Sequence, residues 1–273
     1  MPRTRTLLAA LAVGLVVLLV TAVAVYARRH RDTESSRGTP SSRTDCDVHV
    51  KSRDLPAWYR DRRATVLVDS VLLGDVATLR ANLRGWRLGV VGHPAIMIDQ
   101  IDARLRGARV APLVILGVGY NSLWERNRRR YETWAAEFDR SARQLLKTLQ
   151  RDGGREFVWV TLRHARRSVI PSNSLWQFDK YAWYFPYVNE RLKLLDRKRS
   201  DLVLARWGSV SNRAGLTYDA IHLNPAGQRL MAGTVREAIE AEAARQARKA
   251  ARADAGCPRA PMRRGGARAA GTS

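Results

Sequence analysis

The chain has 273 residues, 45% of them hydrophobic, and carries 48 Lys and Arg against 25 Asp and Glu, a formal net charge of +23. That suits one folded domain of about 190 residues with one core, plus polar tails. The excess charge is mostly arginine spread along the chain, and no helix-turn-helix, zinc or RNP pattern accompanies it, so a nucleic-acid partner is not expected. A basic surface outside a membrane instead favours anionic lipid head groups, teichoic-type polymers or acidic polysaccharides.

In chain order, Leu7 to Tyr26 is an apolar stretch without a charge, followed by Arg28, Arg29 and Arg31. Twenty residues at about 1.5 Å each span about 30 Å, the hydrocarbon thickness of a bilayer. Residues 1–31 therefore read as a signal-anchor segment, with cleavage after Ala24 or Ala27 as the alternative fate. Arginines flank both ends, so the positive-inside count does not set the orientation. Residues 32–61 read as a linker, polar and rich in Ser, Thr, Asp and Arg. From 62 to 250, apolar runs near 64–68, 86–91, 112–117, 156–162 and 201–205 alternate with helical patterns near 71–84, 96–106, 128–151, 187–199 and 225–250. That alternation predicts a parallel sheet with right-handed crossovers. Residues 175–187 are crowded with aromatic side chains and fall on the loop after the fourth strand, where they would stack on a sugar, enclose an acyl chain, or simply pack as a lid. Residues 251–273 read as a basic disordered tail. Cys46 and Cys257 bracket the domain, either bridged in an oxidising compartment or as two free thiols.

The chemistry sits in short motifs between these elements. Ser70, in Asp69-Ser70-Val71-Leu72-Leu73-Gly74, falls at the turn between the first strand and the first helix, where α/β folds hold reactive groups. Asp219 and His222 are three residues apart in Asp219-Ala220-Ile221-His222. That spacing sets a carboxylate against imidazole Nδ1 while Nε2 faces outward to a nucleophile. The bland alternative for Ser70 is a helix N-cap. Asn121 ends the strand Ala111 to Leu116 through Gly117-Val118-Gly119-Tyr120, and Gly92 ends the strand before it. With the N–H groups of Ser70 and Gly92, the Asn121 amide makes a three-donor oxyanion pocket. His93, beside Gly92, reads as a solvated loop residue. Pro225 after Asn224 marks a helix start behind His222.

Asp69-Ser70-x-x-x-Gly74, Gly92, Gly119-x-Asn121 and Asp219-x-x-His222, in that order, resemble blocks I, II, III and V of the SGNH/GDSL hydrolases over roughly residues 62–240. The resemblance implies a three-layer α/β/α sandwich with a five-stranded parallel sheet and no cofactor or metal. It implies Ser70 as nucleophile, His222 as base and Asp219 as its orienter, with Ser70, Gly92 and Asn121 as oxyanion donors. Two positions depart from the family pattern: Val68 stands where the family has Gly, and Ser122 where it has Asp. The Asp-Ser-Val-x-x-Gly form and Ile221 to Gly227 look most like the SGNH domains attached to, or working beside, membrane acyltransferases that O-acylate surface glycans. The expectation is an esterase or O-acyltransferase acting on an acylated envelope glycan or lipid, with a membrane acyltransferase as a possible partner. The resemblance and the cysteines together put the domain on the outer side of the cell membrane, held there through residues 1–31. The alternative is a non-catalytic SGNH-like module that binds anionic envelope polymer.

Overall fold

The computed structural model describes residues 50–105, 107–122 and 131–255. The apolar segment 7–26 and both cysteines lie outside them. Among the described residues no helix is long and apolar enough to cross a membrane. Five strands, β1 (Arg63–Val68), β2 (Arg87–Gly92), β3 (Leu113–Gly117), β4 (Glu156–Val160) and β5 (Leu202–Ala205), pair in parallel in the order β2-β1-β3-β4-β5. β3 and β4 are buried at every position, as expected of strands covered on both faces, whereas the edge strand β2 alternates between exposed and half-buried residues. The register pairs Val68 with Gly92 on one side and with Gly117 on the other. The carboxyl ends of β1, β2 and β3 are therefore level, and the strand order reverses direction between β1 and β3. That switch point is where open α/β sheets leave a crevice.

The helices are α1 (Ala57–Arg60), α2 (Ser70–Leu73), α3 (Val76–Asn82), α4 (Ile98–Leu105), α5 (Tyr131–Arg151), α6 (Leu175–Tyr181), α7 (Phe185–Lys198), α8 (Trp207–Val210) and α9 (Pro225–Asp254). α3 packs with α9, while α4, α5 and α7 pack in sequence with one another; right-handed crossovers put the two groups on opposite faces of the sheet. α9 starts where the sequence signals it. The Asn224 side chain accepts from the N–H groups of Ala226 and Gly227, and Pro225 occupies the first turn. Met231, Val235, Ile239, Ala243 and Ala247 then form a buried stripe at four-residue spacing. Each larger member stabilises the docked helix by about 1.5–3 kcal/mol.

Three sequence expectations need correction. The helix expected over 71–84 is two helices: Gly74 caps α2, and Asp75 breaks the run with its side chain turned inward, 1% exposed. The packed body begins inside the segment expected to be linker, because Trp58 of α1 is buried and its Nε1 donates to Gln246 Oε1 of α9 at 3.0 Å. α9 also runs to Asp254, past the expected domain end at residue 250. A single buried tryptophan outweighs the polar composition around it.

Candidate active site

Asp69, and not Ser70, is the N-cap of α2. It is fully buried; its Oδ1 accepts from Val71 N–H at 3.1 Å and its Oδ2 from Tyr120 N–H at 3.1 Å. The N-cap alternative for Ser70 therefore falls: another residue does the capping, and Ser70 sits in the first turn with its Oγ 3.2 Å from His222 Nε2. Burial pushes the Asp69 carboxyl up to about 7, opposed by the N–H groups of Val71, Tyr120 and Gly119 and by the charge on His222.

His222 lies on the loop between α8 and α9. Its Nδ1 is 2.8 Å from Asp219 Oδ2, while Asp219 Oδ1 accepts from the backbone N–H of Ile221 at 2.7 Å and of His222 at 2.6 Å. Burial by itself would raise the Asp219 carboxyl, but the His222 ring and the two backbone donors outweigh it and hold the group down at about 2. The same carboxylate raises the His222 imidazole above its ordinary value, with burial opposing. The ring is thus basic, oriented through Nδ1, and faces the serine hydroxyl through Nε2. That arrangement can take a proton from Ser70 and return it to a leaving group.

The proposed oxyanion donors sit on neighbouring turns. Gly92 ends β2 opposite Val68, and a Cβ built on it would lie 2.4 Å from Val68 Cγ2 and 2.6 Å from Val68 carbonyl oxygen. Valine at position 68 is therefore accommodated by having no side chain at 92. Gly119 has φ of +129°, outside the usual range of L residues, and so lets Tyr120 N–H turn back to Asp69. Asn121 is buried, and its Nδ2 donates to Ile96 carbonyl at 3.4 Å, a long bond that uses one of its two N–H groups. His93 is exposed, with Nδ1 2.6 Å from Pro94 carbonyl, as a solvated loop histidine would be. Among the described residues no group of three or more His, Cys, Asp or Glu side chains converges to hold a metal.

The aromatic segment is not a loop but α6, a short 3-10 turn and the start of α7. Tyr184 and Phe185 are core residues at 1% exposure, whereas Trp176 stays 63% exposed. Two side chains that sequence reasoning missed tie other elements to the base loop. Gln177 of α6 donates to Asp219 Oδ2 at 3.3 Å and accepts from Ala220 N–H at 3.2 Å. Arg163, just after β4, is 3% exposed and directs its guanidinium at the same loop. Neither had a local signal, since the partners lie 42 to 57 positions away in sequence.

The chain shares the fold of solved SGNH/GDSL hydrolases. A GDSL-like lipase from Bacteroides thetaiotaomicron superposes with a TM-score of 0.52 at 13% identity, covering 67% of this chain and 89% of that one. An acetyl xylan esterase, AlAXEase, superposes at 0.50 with 19% identity, covering 64% and 98%. The C-terminal catalytic domain of Streptococcus pneumoniae peptidoglycan O-acetyltransferase A matches at 0.43 and 16%, covering 66% and 93%, too loose a superposition to argue from. No protein-family model and no curated protein sequence matches the chain. At these identities the likeness is one of fold, and the chemistry rests on the side chains themselves.

Proposed function

We propose that the chain is an SGNH-type serine esterase or O-acyltransferase, exported and held at the membrane through residues 1–31, that acts on acyl esters of an envelope glycan or lipid. The observation that carries this is the line of contacts from Asp219 through His222 to Ser70, at 2.8 Å and 3.2 Å. His222 Nε2 takes the proton of Ser70 as Oγ attacks the ester carbonyl. The N–H groups of Ser70 and Gly92 and the second N–H of Asn121 meet the oxyanion. The tetrahedral adduct collapses as the departing alkoxide takes the proton from His222, leaving an acyl group on Ser70. Water or a sugar hydroxyl, deprotonated in turn by His222, then releases it. A sugar beside the ester is supported by Trp176 and Tyr218, 63% and 67% exposed, each next in sequence to a partner of the Gln177–Asp219 hydrogen bond.

The test is turnover of a small aryl acetate, with labelling by a fluorophosphonate probe. Ser70→Ala should lower kcat by at least about 10³-fold and abolish labelling. Its stability should stay within about 1 kcal/mol of wild type, because Ser70 is only half-buried and Asp69, not Ser70, does the capping. Retention of more than about a tenth of the rate sinks the assignment. An unlabelled wild type that binds anionic polymer would instead mark a non-catalytic binding module.

A further inference from the structure

Arg163 is an arginine whose surroundings are unusual for a charged group. It is 3% exposed, and among the described residues no carboxylate forms an ion pair with it. Its Nη1 donates to Thr217 Oγ1 at 2.9 Å and to Ala220 carbonyl at 3.1 Å, its Nη2 to Arg213 carbonyl at 3.1 Å, and its Nε to Ser211 carbonyl at 3.4 Å. All four acceptors are uncharged, and all lie in the stretch 211–220 that delivers Asp219 and His222. Burying a cation among neutral acceptors is expensive and is weak evidence of a stabilising role. Burial lowers the Arg163 pKa, while the Tyr120 hydroxyl and the Asp219 carboxylate oppose that shift.

The backbone of the same residue is linked to the nucleophile turn through Tyr120. Arg163 N–H donates to Tyr120 Oη at 2.8 Å, and Tyr120 N–H donates to Asp69 Oδ2 at 3.1 Å. A closed circuit results, from the Ser70 turn through Asp69, Tyr120 and Arg163 to the base loop, and back through His222 to Ser70. We propose that Arg163 is the positioning residue of this site: its planar fork gathers four acceptors of the 211–220 loop and so sets where Asp219 stands and how His222 Nε2 meets Ser70 Oγ. This inference rests on the acyl-transfer reading above. Lysine cannot substitute, because an ammonium offers three donors around a point and no fork.

The experiment compares kcat and KM for a small aryl acetate in wild type, Arg163→Lys and Arg163→Ala, each scored per folded molecule by circular dichroism. Arg163→Lys should lose about 10²-fold in kcat with KM within about twofold, the signature of a displaced catalytic group and not of lost binding. Arg163→Ala should lose at least as much and recover part of it when guanidinium ion at tens of millimolar, but not sodium, is added. A purely structural Arg163 gives normal kcat in the surviving folded fraction and no guanidinium rescue, and either result overturns the inference. Should Arg163→Ala fail to fold, Arg163→Lys decides alone. An inert wild type overturns the functional reading and this inference with it; an active wild type with an unaffected Arg163→Lys overturns only the inference.

Discussion

The nucleophile turn and the base loop solve the same problem, holding a reactive side chain still, by opposite physical means. The turn, from Val68 to Asp75, is continuous with a central strand and dry: Asp69 is wholly buried and its carboxyl is pushed up to about 7. The loop, from Ser211 to Asn224, is wetter and held by polar contacts from elsewhere: Asp219 is partly open, and its carboxyl is pulled down to about 2. One carboxylate is a structural bolt and the other an electrostatic partner. The difference teaches that local backbone geometry places Ser70, whereas side chains distant in sequence place His222. Perturbing the buried Asp69 of the turn should therefore cost stability and rate together, and perturbing the loop should cost rate with little stability.

Asp219→Asn gives the strongest contrast. Turnover should fall by about 10²-fold to 10⁴-fold with a melting temperature near wild type. Because His222 must be neutral to act, and Asp219 raises its pKa above 6.5, the acid limb of the wild-type kcat/KM profile should have its midpoint above that value. In the variant the residual activity should persist to lower pH, and a pH–rate series on both proteins checks the shift. Next in size is Asp69→Asn, whose amide sets a donor against one of the two backbone N–H groups that Asp69 now satisfies. Chemical denaturation should show a loss of about 1–3 kcal/mol, accompanied by lower turnover. If stability is unchanged, the turn is not built as described.

Gln177→Ala should have a smaller effect, removing one hydrogen bond to Asp219 and one from Ala220 N–H. Turnover should fall about twofold to tenfold with unchanged melting, so a stability loss without a rate loss would move α6 out of the base-loop account. A separate effect, on stability and not on rate, concerns Asp75, whose carboxyl burial pushes up to about 8. A raised folded-state pKa favours the fold fully below the unfolded value near 3.8, and that favour is lost as pH rises through about 8. Asp75→Asn cannot titrate, so its melting temperature should match wild type below about pH 4 and exceed it by a margin that widens up to about pH 8 and then levels off. A margin that does not change with pH would mean that Asp75 is not the titrating group.

Much of this was legible in the sequence because parallel strands announce themselves as apolar runs that Ser70, Gly92 and Asn121 follow, and because Asp219 and His222 are marked by their spacing just ahead of the Asn224-Pro225 helix start. All five strands fall within two residues of the expected bounds, the largest difference being the carboxyl end of β4, at Val160 where 162 was expected. What stayed hidden is what depends on distance. The inward turn of Asp75, the burial of Trp58 against α9, and the attachment of Arg163 and Gln177 to the base loop all need the tertiary fold before they have a partner. Periodicity could not separate the core rings Tyr184 and Phe185 from the exposed Trp176, since all three lie in one aromatic stretch.

Ser70 and His222 meet across 152 positions of chain, and β5 with the base loop must be in place before they do. A contact of that span forms late, since the loop it closes carries its entropic cost until the rest of the sheet is built. Until then Ser70 is an ordinary alcohol. A fragment cut between Ala205 and His222 keeps all five strands and the Ser70 turn but lacks the base that reaches the serine. On the acyl-transfer reading proposed above, reactivity belongs only to the completed fold and arrives when the base loop closes on Ser70.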